Sequence, residues 1–363
     1  MLPRARIKES PEDFVVEEIP VYDPSGEGEH LFVRFTKRAL TTDEAVRAIG
    51  RGLGANLRDI GVAGLKDKVG VTTQTISVPI PRGVVATAFA ERALSLSVAG
   101  VTILGASPHG NKLKTGHLVG NRFVIRVGGL DRSRVDEVVL ALERVGREGI
   151  PNAFGPQRFG KAKDNADRAR AWLSGRAPAP GDSRFRRLLW SALQAQIFNA
   201  VLDERVRDGT WKTPLLGDLV KRRTSGGLFL CADVQVDQER AALGEVSPTG
   251  PIFGIKMRPP EGEPARLEQR IIGELLGQDV DLGATKALGE GTRRGLRLWV
   301  EDLRVERLPD GAPGEQDASI RVYFVLPKGA YATTVLSAVV DWETPPGSAD
   351  PSVPSEARES ESE

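Results

Sequence analysis

The sequence predicts an α+β protein in which a domain built on a mixed, largely antiparallel sheet is interrupted by a more helical α/β domain. Three observations predict it. The first part of the chain is a series of short β-rich runs divided by turn-type segments. Amphipathic helical patterns take over the middle, and strand character returns towards the end. At roughly 150 residues per domain, 363 residues make two domains. The expected boundaries are residues 1–148 with 299–344 for the discontinuous domain and 149–298 for the inserted one, followed by a disordered acidic tail at 345–363.

Asp13–Ile19 (DFVVEEI) and His30–Phe35 (HLFVRF) read as strands on either side of the turn-type linker Tyr22–Gly28. Thr42–Ile49 reads as a short helix; Thr41 and Glu44 have capping-box spacing, and Gly50, Gly52 and Gly54 stop it. Ile60–Leu65 is a strand that enters a loop at Lys66-Asp67-Lys68, and Val71–Val78 resumes as a strand rich in β-branched residues. Leu94–Leu104 and Arg122–Val127 are further strands, and Arg132–Arg147 is an amphipathic helix. Gly149–Gly160 (GIPNAFGPQRFG) is a loop, and Arg168–Ser174 is helical. Ser183–Arg207 is a long helix whose Leu189, Leu193, Ile197 and Val201 recur at i+4. Leu267–Leu276 and Gly291–Leu296 add shorter helical pieces. Strand character returns at Leu298–Arg307 and Ser319–Leu326, followed by Ala330–Val340.

Composition excludes more than it assigns. One cysteine, Cys231, leaves no disulfide framework and no thiolate zinc site. Three histidines, His30, His109 and His117, leave little for a His-based metal centre or a Ser-His-Asp triad. The first residues lack the apolar stretch of a signal peptide, and no apolar run approaches the roughly 18 residues of a membrane helix. A soluble protein of a reducing cytoplasm is expected. The net charge of +1 hides an asymmetry: five carboxylates against Arg358 give residues 345–363 a charge of −4, so the remainder carries +5. Its basic residues cluster at Lys112 and Lys114, at Arg184, Arg186 and Arg187, at Lys221–Arg223, and at Arg293, Arg294 and Arg297. Each cluster alone reads as a solvated face; several together suit an anionic partner.

The densest candidate for chemistry is Gly61–Gly70 (GVAGLKDKVG), where Asp67 lies at a strand end between Lys66 and Lys68. Adjacent cations favour an ionised carboxylate, and apolar neighbours suit a nucleophile or general base. Taken alone, the segment reads first as a β-turn with Lys-Asp-Lys exposed, because such tripeptides are common. Gly50–Ala55 has the glycines of a dinucleotide fingerprint but follows a helix rather than a strand. Gly110–His117 lacks the Gly-Lys-Ser/Thr ending of a phosphate loop, and His109 and His117 read as solvated loop residues. Phe14, Phe123, Phe154, Phe159 and Tyr331 lie beside polar or basic neighbours, as rings that stack extruded bases do, and as ordinary core aromatics also do.

The segments Pro11–Ile19, Gly26–Phe35, AGLKDKVGVTTQ (Ala63–Gln74), GNRFVIRV (Gly120–Val127), IPNAFGPQRFG (Ile150–Gly160), Leu188–Arg205 and LPKGAYATTVL (Leu326–Leu336) together resemble the TruD family of tRNA pseudouridine synthases, in the family's order. The resemblance implies a pseudouridine-synthase-like catalytic domain with a TruD-type insertion, the two forming a cleft for folded RNA. It implies isomerisation of uridine to pseudouridine in tRNA, at uridine 13 of the D-arm, without cofactor, metal or protein partner. Asp67 is the implied catalytic residue. Phe14, Asn121, Phe123, Tyr331 and Lys66 are the implied substrate-binding residues, with Tyr331 where some relatives carry phenylalanine. Lys8, Lys112, Lys114 and Arg158 are expected to contact the RNA. The alternative is a catalytically silent RNA-binding or RNA-folding protein on the same fold.

Overall fold

The computed structural model describes residues 1–160, 162–277, 282–309 and 317–344; the expected acidic tail lies outside the described residues. In chain order the elements are β1 (Arg4–Arg6), β2 (Phe14–Pro20), β3 (His30–Arg38), α1 (Thr42–Leu53), β4 (Gly61–Val62), β5 (Val71–Pro79), α2 (Ala86–Leu94), β6 (Val101–His109), β7 (Leu118–Asp131) and α3 (Val135–Glu148). There follow β8 (Ile150–Pro151), α4 (Asn165–Leu173), α5 (Ser183–Arg207), β9 (Leu219–Arg222), β10 (Leu228–Leu230), α6 (Val234–Ala242), β11 (Val246–Ile252), α7 (Gly262–Leu276), β12 (Thr292–Gly295) and β13 (Arg297–Leu298). The chain ends with β14 (Glu301–Arg307), β15 (Asp317–Pro327), α8 (Ala332–Ser337) and β16 (Asp341–Glu343). It divides into two compact units, one of Met1–Arg147 with Val300–Glu363 and one of Glu148–Trp299.

The first unit is built on a sheet of order β14-β15-β7-β2-β5-β3-β6, with β1, β4 and β16 attached. Its pairs are antiparallel except β2 with β5 and β1 with β16, so the sheet is mixed and largely antiparallel. Alternation decides which side chains meet the core. Leu31, Val33 and Phe35 of β3 are fully buried, packed against Ala45, Ile49 and Leu53 of α1 and Phe89 and Ala93 of α2. Each large side chain so buried contributes about 1.5–3 kcal/mol. Cross-strand register carries the same face across the sheet, from Lys37 through Thr72, Val16 and Phe123 to Phe324. A parallel row sets Glu18 opposite Asn121 and Asn121 opposite Leu326. The inward positions of β2 and β3 therefore end in charges, Glu18 and Lys37.

The capping box at α1 forms as the spacing implies: Thr41 Oγ1 accepts from Glu44 N–H at 3.1 Å, and Glu44 Oε2 accepts from Thr41 N–H at 2.7 Å. The helix does not stop at Gly50. It runs through Gly50 and Gly52, where a Cβ would meet Ile60 or Leu96 at under 3 Å, and ends at the left-handed Gly54 (φ 68°). Two further expectations are corrected. Leu94 closes the helix α2 rather than opening a strand, because Phe89, Ala90 and Ala93 fill one helical face under the sheet. The segment read as strand-like at Ala330–Val340 contains α8.

In the second unit α5 spans the predicted Ser183–Arg207, and its burial exceeds one stripe: Trp190, Ala195, Phe198 and Leu202 are buried besides Leu189, Leu193, Ile197 and Val201. A four-stranded sheet of order β10-β9-β11-β12 packs beside it. Gly291–Leu296, read as helical, is the strand β12, since Thr292–Gly295 pairs antiparallel with Thr249–Ile252. Of its arginine cluster, Arg293 is buried on Glu268 through two bonds of 2.6 and 2.7 Å, and Arg297 donates to the carbonyls of Glu148 and Ala241. Those two arginines form internal bonds and not a surface patch.

Candidate active site

Asp67 lies in the loop between β4 and β5, and three side chains and the close approach of a glycine fix that loop in place. Thr42 Oγ1 accepts from Lys66 N–H at 2.9 Å and donates to Gln74 Oε1 at 3.1 Å. The fully buried Lys37 ammonium donates to the carbonyls of Asp67 (2.7 Å) and Leu40 (2.6 Å). Gly70 brings the loop end against Phe14, whose carbonyl oxygen lies 2.6 Å from where a Cβ would stand. The carboxylate is thus carried on a backbone clamped on both sides, with little of its own geometry left to chance.

The charge arrangement differs from the one adjacency suggests. Lys66 turns inward, and its ammonium lies 3.0 Å from Glu18 Oε2 with both side chains nearly inaccessible. Lys68 reaches Glu44 at 3.7 Å. The Asp67 carboxylate is met at 2.8 Å by Lys8, 59 residues earlier. Lys8 is 9% exposed while the Asp67 side chain is 39% exposed, so the pair presents its anionic end to the outside. The Lys8 ammonium also sits 4.2 Å from the centroid of the Phe14 ring, a cation–π contact that adds to its hold. Lys8 takes a left-handed backbone conformation (φ 58°), unfavourable for a residue with a Cβ.

Under this pair the aromatic rings form a continuous floor. Phe14 meets Phe123 edge to face at 6.3 Å, and Phe123 stacks on Phe324 at 5.3 Å. Phe14 and Phe123 are buried, so they form the wall of the site and not exposed stacking platforms. Asn121 lies on the same face two residues before Phe123, and its buried Oδ1 has no hydrogen-bond partner among the described residues. A buried acceptor left open costs about 1–3 kcal/mol, which a ligand donor would recover.

The structure therefore gathers Lys8, Phe14, Lys66, Asp67, Asn121 and Phe123 around one loop and one face of the sheet. Tyr331 lies beyond the end of β15 at the start of α8, and is 54% exposed. Lys112 and Lys114 flank the buried Leu113, whose N–H donates to Ser77 Oγ; Lys112 donates to the Arg58 carbonyl, and Lys114 is exposed. Arg158 belongs to the second unit, exposed beside Phe154. His109 and His117 are not simply solvated: Tyr22 stacks on His109 at 5.1 Å and its hydroxyl bonds to His117 Nδ1 at 2.8 Å.

Glu18, Lys37, Thr42 and Gln74 escaped the sequence reading. A signal was present for the first two, because each is a charge at an inward position of an alternating strand: Phe14-Val16-Glu18 in β2 and Leu31-Val33-Phe35-Lys37 in β3. A buried charge there requires a partner, and both partners lie in the Asp67 loop.

Comparison with known proteins places this arrangement. The family model described as tRNA pseudouridine synthase D (TruD) matches residues 4–173 and 177–339. The tRNA pseudouridine synthase D of Anaeromyxobacter sp. (strain Fw109-5) is 44% identical over 336 residues, covering 91% of this chain and 90% of that protein. The protein of the same name from Thermus thermophilus is 37% identical over 339 residues, covering 93% and 89%. A crystal structure from Methanosarcina mazei assigned to TruD superposes with a TM-score of 0.72 over 94% of each chain; at 23% identity it shares the fold. Matched by the family model along almost its whole described body, and aligned with such relatives over nine-tenths of its length, the chain belongs to the TruD family, tRNA pseudouridine synthase D.

Proposed function

We propose that this protein isomerises uridine to pseudouridine in tRNA, at uridine 13 of the D-arm, with Asp67 as the essential carboxylate. The observation that carries the reading is the Lys8–Asp67 pair: a half-exposed carboxylate held by a buried ammonium above an aromatic floor. Lys8 pairs with the Asp67 carboxylate and leaves its outer side exposed, and the Lys37 bond to its carbonyl fixes where the carboxylate stands. In the reaction the N1–C1′ bond breaks, the uracil turns, C5 bonds to C1′ and the C5 proton is lost while N1 gains one. Nothing is oxidised or reduced. The uridine must leave its stack, at a cost of a few kcal/mol. The exposed Tyr331 ring offsets that by stacking, at ~1–3 kcal/mol per base. The Asn121 amide holds the uracil edge through its open acceptor, and the Phe14–Phe123 wall keeps water from the detached base.

The test is to map pseudouridine in tRNA from cells with and without the protein, and with an Asp67→Asn variant. Loss of the modification at position 13 in both deficient strains is expected. Wild-type conversion by Asp67→Asn would remove Asp67 from the chemistry, and a loss confined to another position would overturn the site specificity.

A further inference from the structure

Among the described residues, the second unit holds two arginines near one ring whose charges meet no carboxylate. Arg293 and Arg294 are neighbours on β12, yet only Arg293 meets a carboxylate, Glu268. Arg294 points to the other face, where its guanidinium lies 4.1 Å from the Phe154 centroid and 5.5 Å from that of Phe198. Its hydrogen bonds are to neutral oxygens, Asn152 Oδ1 at 2.6 Å and the Asn152 carbonyl at 3.3 Å. Arg158 approaches the same Phe154 ring at 5.4 Å. Burial, with Arg158 adding to it, pushes the Arg294 guanidinium down to about 10, the mark of a cation in an unfavourable place.

The ring between them is fixed. Asn199 bonds the Phe154 backbone twice, accepting from its N–H at 2.8 Å and donating to its carbonyl at 3.0 Å. Asn152 in turn donates to the Gly295 carbonyl at 2.8 Å. Two like charges beside one aromatic ring, one of them largely desolvated, repel each other, and an anion bridging them would relieve that repulsion. We propose that Arg158 and Arg294 form a phosphodiester-binding site, through which the second unit takes hold of the RNA backbone; this rests on the RNA-modifying reading above. Guanidinium groups suit that ligand because their planar donors match two phosphate oxygens, and a backbone contact of this kind positions the RNA without reading its sequence.

The experiment measures tRNA binding to the Asp67→Asn protein across a salt series, alone and with Arg158→Gln or Arg294→Gln added, each checked by thermal melting. Each lost contact should make the slope of log K against log salt shallower by about 0.7–0.9. Arg294→Lys should restore most of the slope. An unchanged slope in a folded Arg158→Gln protein overturns the proposal; because Arg158 is exposed, it decides the matter if Arg294→Gln fails to fold. Pseudouridine formation by the Asp67-intact Arg158→Gln protein is followed separately, with KM expected to rise and kcat to hold. A protein that binds tRNA with the expected slopes and never forms pseudouridine would refute the catalytic reading alone.

Discussion

Lys8 donates to the Asp67 carboxylate at 2.8 Å from a nearly buried position, and its ammonium rests on the Phe14 ring. One side chain thus joins the N-terminal segment, the aromatic floor and the Asp67 loop. Lys8→Met removes the charge and keeps the bulk. The expected loss in kcat is about 10²–10³-fold, as for other single charge-stabilising donors. Single-turnover kinetics on tRNA should show that fall with binding little changed, and Lys8→Arg should recover part of the rate.

Lys37 acts through the backbone and not on the substrate. Lys37→Met leaves the carbonyls of Asp67 and Leu40 without their ammonium, at about 1–3 kcal/mol for each group left unsatisfied. Urea titration should show the lost stability, and kcat should fall further than the unfolded fraction explains. A variant that loses stability but keeps full kcat when folded would show that Lys37 supports the fold alone.

Gly70→Ala tests the clamp from its other end. The added Cβ would stand 2.6 Å from the Phe14 carbonyl oxygen, which is backbone and cannot rotate away. The loop must shift, so kcat is expected to drop at least tenfold while the melting temperature changes by a few degrees. Equal kcat in the variant would mean that the loop position tolerates the shift.

His30 gives the first unit a pH dependence of definite sign. Burial, then Lys112, holds its imidazole below the ordinary value of 6.5; Glu29 opposes this and His109 adds to it. A depressed folded pKa means the unfolded chain takes up the proton first. The stability that rests on neutral His30 is complete above 6.5 and is lost as pH falls below it towards the folded pKa. Chemical denaturation between about pH 5 and 8 should show that decline, and His30→Gln should flatten it.

Cys231 is fully buried, and burial with Asp237 nearby pushes its thiol up to about 12. At about pH 8 only about one thiol in ten thousand is ionised. A thiol-specific dye should leave the native protein unlabelled and react at once in concentrated denaturant. Rapid native labelling would place Cys231 in an opening segment.

The parts of this molecule that were legible from sequence share a physical cause. The capping box at Thr41 and Glu44, the i+4 stripe of α5 and the alternation in β2 and β3 are local patterns, and the fold keeps them. Where reading failed, tertiary contacts decided. The helix α2 has Val85 as its N-cap, with no side-chain capping bond to announce it in the sequence. Arg293 and Arg294 look like one basic patch in sequence, but a strand sends them to opposite faces, one to Glu268 and one to Phe154. The Asp67 loop shows the same limit. Adjacency put Lys66 and Lys68 beside the carboxylate, whereas Glu18 and Glu44 attract them and a lysine 59 residues away meets it. A charge at an inward strand position can show that a distant partner is needed, but not which residue it is.

The parallel pairing of β1 with β16 carries a consequence for how this protein is made. Arg4–Arg6 is seated against Asp341–Glu343, and the next residue, Ile7, donates to the Glu343 carbonyl. Lys8 follows directly. On the ribosome, the strand that fixes the course of the chain into Lys8 emerges after every residue of the second unit. A nascent chain can therefore complete that second unit while β1 has its β7 neighbour but not yet its β16 partner. A product truncated before Asp341 keeps Lys8, its bond to Asp67 and its contact with Phe14, and lacks only the strand that borders β1 on that side.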